Sequence, residues 1–283
     1  MESSTASKTA PSKSAELRTR ILSALVLAPV ALGLAWVGGW PFAALLAVAA
    51  VAMALELTAL LPGDTLTNRV MLAGFALIAV LLTAVGGPFV ALLAGMAGLT
   101  FAVTLGILRS APVWPPLLAY PYLILPLVAL LWLRLDPAYG RIAIFWLLFV
   151  VWATDTFAYF AGRAIGGPKL APLLSPNKTW AGLVGGMFGA VVVGATAAIW
   201  LDLGSPALLA LVSAVLAVVA QAGDILESAL KRRAGVKDSG KLIPGHGGIL
   251  DRVDGLVTAA VAAALIALLH GSMAPGMGVL VWP

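Results

Sequence analysis

Residues 221–255 read QAGDILESALKRRAGVKDSGKLIPGHGGILDRVDG, and they join the end of one long apolar run to the start of another. The stretch gathers six basic and five acidic residues, and no other stretch of its length is as polar. Flanked in this way, it reads as a polar connection between two membrane helices. If the helix entering from Leu211 continues to Arg232, the 3.6-residue period puts Asp224, Ser228 and Lys231 on one face. Beyond it, Lys237-Asp238-Ser-Gly and Pro244-Gly-His246-Gly247-Gly248 supply glycines whose backbone N–H groups can approach an anion. Asp251 and Asp254, three residues apart, share a face of the next helix and offer oxygen ligands to a hard divalent cation. Metal, ammonium and exposed amides together suit a polyphosphate. The plain alternative is a solvated loop whose charges anchor two membrane helices.

The surrounding chain sets the class. With 61% hydrophobic and 10% charged residues and a mean hydropathy of +1.05, its 283 residues are too apolar for a soluble core. The expected fold is an all-α, polytopic integral membrane protein of about nine transmembrane helices. Spans are expected at 21–37, 41–61, 70–86, 88–107, 114–134, 142–162, 180–201, 206–226 and 255–270. The span at 114–134 carries Pro115, Pro116, Pro121 and Pro126, which oppose a continuous helix. The run 273–283 is too short to span and is expected at the interface. Residues 1–20 read as a flexible basic tail, 21–135 as N-terminal membrane helices, and 142–283 as the catalytic region with loops 163–179 and 227–254. Cysteine is absent, so thiolate metal sites and disulfides are excluded. The formal charge of +5 lies beside the spans and favours anionic lipid and phosphate over nucleic acid.

Nine spans with the N-terminus inside place the tail and the connections at 62–69, 108–113, 163–179 and 227–254 on one side. Those segments hold 15 of the 17 Lys and Arg residues; Arg134 and Arg141 lie opposite. Retention of positive charge in the cytoplasm then directs the polar stretch to the cytosol, across the inner membrane. Glu56, Asp155 and Asp224 fall in the inward halves of their spans, where an isolated charge costs roughly 2.5–3.5 kcal/mol at mid-bilayer, so compensation is expected. They converge on one site or, for Glu56 and Asp155, reach the headgroups or neighbouring helices. A second polar patch runs from Asp155 and Tyr159 through Gly166-Gly167-Pro-Lys169 to Ser175-Pro176-Asn177-Lys178-Thr179-Trp180-Ala181-Gly182. Gly182-Leu-Val-Gly-Gly-Met-Phe-Gly189 reads as a helix-packing surface.

The ordered series Ser228-Ala-Leu-Lys231-Arg232, Lys237-Asp238, Gly240, Pro244, His246-Gly-Gly248 and Asp251-Arg252-Val-Asp254 closely resembles the defining motif of phosphatidate cytidylyltransferases. The second patch resembles the same family's Ser-Pro-Lys-Lys-Thr-Trp-Glu-Gly, with Asn177 and Ala181 as departures that weaken phosphate attraction and remove a carboxylate. The resemblance implies transfer of the cytidylyl group of CTP to phosphatidic acid, giving CDP-diacylglycerol and pyrophosphate at the bilayer surface. Asp224, Asp251 and Asp254 are assigned to Mg²⁺, with a second ion allowed for. Asp224, Lys231, Asp251 and Asp254 form the catalytic set. Arg232 and Lys237 are assigned to phosphates, with Ser175, Lys178, Thr179, Ser228 and His246 as further substrate contacts. A homodimer is left open. Two rivals remain. An ion-coupled transporter would carry its acids near mid-membrane, and a CDP-alcohol phosphotransferase would complete an Asp-Gly-x-x-Ala-Arg pattern that does not follow Asp254-Gly255.

Overall fold

The computed structural model describes residues 13–271 and 274–283, with side chains described from Ile21. The chain runs α1 (Lys13–Val37), α2 (Gly39–Leu60), α3 (Leu66–Gly86), α4 (Pro88–Leu108), α5 (Trp114–Arg134) and α6 (Gly140–Ala164). An antiparallel hairpin of β1 (Lys169–Ala171) and β2 (Ser175–Thr179) follows, then α7 (Trp180–Leu201), α8 (Pro206–Arg233), α9 (Leu250–Leu269) and α10 (Pro275–Leu280). Eight of these helices, α2 to α9, are long and apolar enough to cross a membrane, and Ile21–Val37 of α1 is a shorter apolar segment. At 1.5 Å per residue those 17 residues reach roughly 25 Å, near the minimum for a span. The chain is therefore an all-α polytopic membrane protein, with one small hairpin that the hydropathy pattern does not signal. Helix α1 starts at Lys13, inside the stretch read as a flexible tail; residues 1–12 lie outside the described residues.

Tight helix seams explain why small residues crowd the apolar runs. Along α7, Gly182, Gly185, Gly186 and Gly189 face α6. A Cβ at Gly186 would sit 2.9 Å from the Thr154 carbonyl oxygen, and one at Gly185 would overlap the Ala161 Cβ. Gly194 meets Ser213 of α8, and Gly223 meets Thr258 of α9, in the same manner. Backbones thus approach closely, and dispersion replaces the hydrophobic effect that lipid cannot supply. The four prolines of α5 do not break it: Pro115 and Pro116 lie in the first turn, where no intrahelical donor is lost, while Pro121 and Pro126 are accommodated in a helix packed among α2, α3, α4 and α9.

The two ends of the bundle differ. At one end the C-terminal turns of α2 and α8, the N-terminal turn of α9 and the hairpin come together. At the other, Arg134 donates to the carbonyls of Ala35 (2.6 Å) and Trp36 (2.7 Å), closing the last turn of α1. Asp136 accepts from the amides of Ala138, Tyr139 and Met277. The C-terminal run packs rather than spreads on the surface: Pro275, Val279 and Leu280 are buried, and Trp282 stacks on His270 at 4.4 Å.

Candidate active site

Helix α8 carries the site. Its 28 residues extend past the apolar core, so its last turns present Asp224, Glu227, Ser228 and Lys231 at the polar end. Asp254 comes from the first turns of α9, which packs on α8 at the Gly223 contact. Carboxylate oxygens of Asp224, Glu227 and Asp254 all lie within 4.8 Å of one another. Two unit charges at that distance repel by about 3 kcal/mol at an effective dielectric of 20. Positive charge close by is what allows all three to stay ionised.

Among the described residues, two ammonium groups meet these acids. Lys178, near the end of β2, pairs with Asp224 at 2.6 Å and donates to Gln221 Oε1 at 2.9 Å; Gln221 in turn donates to Asp155 at 3.4 Å. Lys231 bridges Glu227, one helical turn before it, and Asp251 at 2.7 Å. Two positive charges thus face five carboxylates: Asp155, Asp224, Glu227, Asp251 and Asp254. Glu227 is fully buried and ion-paired with Lys231, yet neither of its oxygens accepts a well-directed hydrogen bond. A buried carboxylate without a well-directed hydrogen bond, beside two others, offers oxygen donors that could hold a hard divalent cation.

This carboxylate group differs from the expected one at Asp251. Its Oδ2 accepts from the Ser239 amide (2.9 Å), the Ser239 hydroxyl (2.9 Å) and the Gly248 amide (2.8 Å), and its Oδ1 holds Lys231. Glu227 stands nearer to Asp224 because it follows by three residues on the same helical face. That i, i+3 spacing, followed by Lys231 at i+4 from Glu227, is the signal in the sequence that points to it.

Glu56 does not join the group either. Near the end of α2 and 7% exposed, it accepts from the amides of Ile249 and Leu250, both at 2.9 Å, and lies 3.2 Å from the Ser239 hydroxyl. It is the N-terminal cap of α9, supplied from a distant helix. The glycines of the loop have the same origin: a Cβ at Gly248 would come within 2.5 Å of Glu56 Oε2, and one at Gly240 within 2.6 Å of Oε1. The amides read as a phosphate cradle are thus partly taken by the protein's own carboxylates, Glu56 and Asp251.

The remaining candidates divide. Ser228 lies 3.4 Å from Asp224 and belongs to the site. Thr179 does not project into it: its hydroxyl accepts from the Gly182 amide at 3.0 Å and caps α7. Ser175 opens β2 at the register partner of Ala171. Arg232 and Lys237 are exposed at the rim, and Arg232 turns to the Val236 carbonyl at 3.4 Å. Arg233 points away, its guanidinium 4.2 Å from the centre of the Trp114 ring. His246 Nδ1 lies 2.8 Å from the Ser23 hydroxyl, fastening the loop to α1.

Residues 18–270 match the model of the cytidylyltransferase family. A phosphatidate cytidylyltransferase of Brucella abortus (strain 9-941) is 42% identical over 250 residues, covering 86% of this chain and 90% of the relative. Proteins of the same name from Haemophilus influenzae and Bacillus subtilis are 40% identical over 181 residues and 48% identical over 117 residues, covering 57% and 41% of this chain and 62% and 44% of those relatives. With eight long membrane helices, a carboxylate group on α8 and α9 and a match over nearly its whole length, the chain belongs to the cytidylyltransferase family.

Proposed function

We propose that the chain transfers the cytidylyl group of CTP to phosphatidic acid, releasing pyrophosphate and leaving CDP-diacylglycerol in the inner membrane, with the site facing the cytoplasm. The observation that carries this reading is the group Asp224, Glu227 and Asp254, placed between two lysines at the polar end of α8. A transporter coupled through intramembrane acids would place them deeper; these lie in the last turns of α8 and the first turns of α9.

Asp224, Glu227 and Asp254 would hold Mg²⁺, which supplies charge neutralisation at the triphosphate when bound. A second ion would have to displace the Lys231 ammonium from between Glu227 and Asp251. Lys178 and Lys231 present ammonium groups to phosphate oxygens, and Ser228 donates a hydroxyl beside them. Asp251 keeps Lys231 in position and ties it to the 239–248 loop. An oxygen of the phosphatidate phosphate attacks the α-phosphorus of CTP, the bond to the bridging oxygen breaks, and pyrophosphate leaves with that electron pair. No protein nucleophile is required, because positioning and charge stabilisation carry phosphoryl transfer.

The test is direct. Purified protein in phosphatidate-containing vesicles should convert α-labelled CTP to labelled CDP-diacylglycerol only when Mg²⁺ and phosphatidate are both present. Label released without forming lipid, or no dependence on phosphatidate, would overturn the reading.

A further inference from the structure

Lys178 reaches the carboxylate group from outside the helices, on the second strand of the β1–β2 hairpin. The main chain beside it is fixed, because Thr179 caps α7, but its side chain has four rotatable bonds and needs a seat of its own. That seat is on α8. The ammonium carries three protons and meets three oxygens: Asp224 Oδ2 at 2.6 Å, Gln221 Oε1 at 2.9 Å and the Gln221 main-chain carbonyl at 3.3 Å. Gln221 and Asp224 stand three residues apart on one face of α8, so one ammonium can reach both. Among the described residues, these are the only hydrogen bonds and ion pair that join the hairpin to α8.

Gln221 is 6% exposed, and the other end of its amide is also engaged: Nε2 donates to Asp155 Oδ1 of α6 at 3.4 Å. Both partners demand the same orientation of the amide, since an ammonium can only donate and an ionised carboxylate can only accept. Taking the proposed transfer to phosphatidate as given, we infer that Gln221 is a positioning residue for it: Gln221 holds the Lys178 ammonium over α8, and Asp155 fixes which end of the Gln221 amide faces the lysine. Asp224 has two duties, toward Lys178 and toward the cation that the carboxylate group would hold. Gln221 has one. A neutral amide competes weakly with carboxylates for Mg²⁺, so Gln221 keeps Lys178 in place when the cation draws on Asp224. The 3.3 Å contact to the main-chain carbonyl is the longest of the three and is the one exchanged for a phosphate oxygen.

The experiment uses the full chain in phosphatidate-containing vesicles. Gln221→Met keeps the side-chain volume and removes both amide partners; it should lower kcat about tenfold and change the KM for CTP by less than about twofold. In a Lys178→Met background the same substitution should cost nothing further, because Gln221 acts through Lys178. Losses that multiply in the double variant would overturn the inference and leave Gln221 a packing residue. Exchanging the partners tests Asp155. Gln221→Glu alone sets two carboxylates against each other and should lower kcat by more than about tenfold. Adding Asp155→Asn puts a donor opposite the new acceptor and should return kcat to within about threefold of the wild type. No recovery would overturn the orienting role of Asp155. A second readout needs no turnover. The chain has no cysteine, so a nitroxide on Leu173→Cys, where the native side chain is 92% exposed in the hairpin turn, reports on the hairpin alone. Without nucleotide or Mg²⁺, its mobility should rise on Gln221→Met and rise further on Lys178→Met; an unchanged spectrum in Gln221→Met would overturn the tether. Absence of CDP-diacylglycerol from the wild type, by contrast, would overturn the proposed activity, and the nitroxide spectra would then decide the seat of Lys178 by themselves.

Discussion

Both ends of this bundle bury charged side chains, and they use them differently. At the Arg134 end the buried charges are discharged on backbone: the guanidinium on the open carbonyls of α1, the Asp136 carboxylate on three amides. At the polar end Glu56 is held largely by amides, and Asp251 by two amides, a hydroxyl and Lys231, while Asp224, Glu227 and Asp254 crowd together and neither Glu227 oxygen accepts a well-directed hydrogen bond. Burial of a charge in a membrane protein therefore does not by itself mark a site. The mark is a charge whose bonding capacity the fold leaves unfilled, because such a group is retained at a cost that stability alone would not select.

The sharpest way to break this contrast is to neutralise the unfilled group. Asp224→Asn and Glu227→Gln should each lower turnover by about a thousandfold at limiting Mg²⁺, while thermal unfolding in detergent stays level or rises as like-charge repulsion is relieved. Near-normal activity in either variant would remove that residue from the metal group. Arg134→Met tests the other end. It should destabilise the protein by about 3 kcal/mol, because the terminal carbonyls of α1 lose charged donors, and leave kcat per folded molecule unchanged. A large loss of kcat in well-folded protein would show that the two ends are coupled.

Smaller effects sharpen the comparison within the polar end. Lys231→Ala should cost about a hundredfold in rate and Arg233→Ala little, since Arg233 lies over Trp114 and topology needs only its charge. Equal, mild effects would reduce the cluster to a membrane anchor. Thr179→Ala should cost about 1 kcal/mol of stability through its lost cap, with the KM for CTP unchanged. A raised KM would return Thr179 to the substrate contacts.

The spans, the polar bridge and most residues around the site were legible because each is written in local periodicity. Apolar runs of about 20 residues announce α2 to α9, and the 3.6-residue period places Asp224 beside Ser228. What escaped depends on contacts between residues far apart in the chain. Nothing near Glu56 tells that it caps α9 almost two hundred residues later, or that Gly240 and Gly248 are small to admit it. That Glu227 stands with Asp224 and Asp254, while Asp251 is engaged by Ser239 and Gly248, has the same cause, since those partners come from a loop without periodicity. The β1–β2 hairpin is too short and polar to show an alternating pattern, yet it delivers Lys178.

The seam between α6 and α7 constrains how this sequence can drift. At Gly185 the nearest obstacle to an added methyl is another methyl, on Ala161, so a gain on one helix can be partly offset by a loss on the other, and the two positions should vary together. At Gly186 the nearest obstacle is the backbone oxygen of Thr154, which every amino acid carries. No partner substitution makes room there. Even after that trade the Phe157 carbonyl oxygen would stand 3.0 Å from a Cβ at Gly185, so the two adjacent glycines differ in whether a neighbour can relieve the nearest contact, which it can at Gly185 and cannot at Gly186.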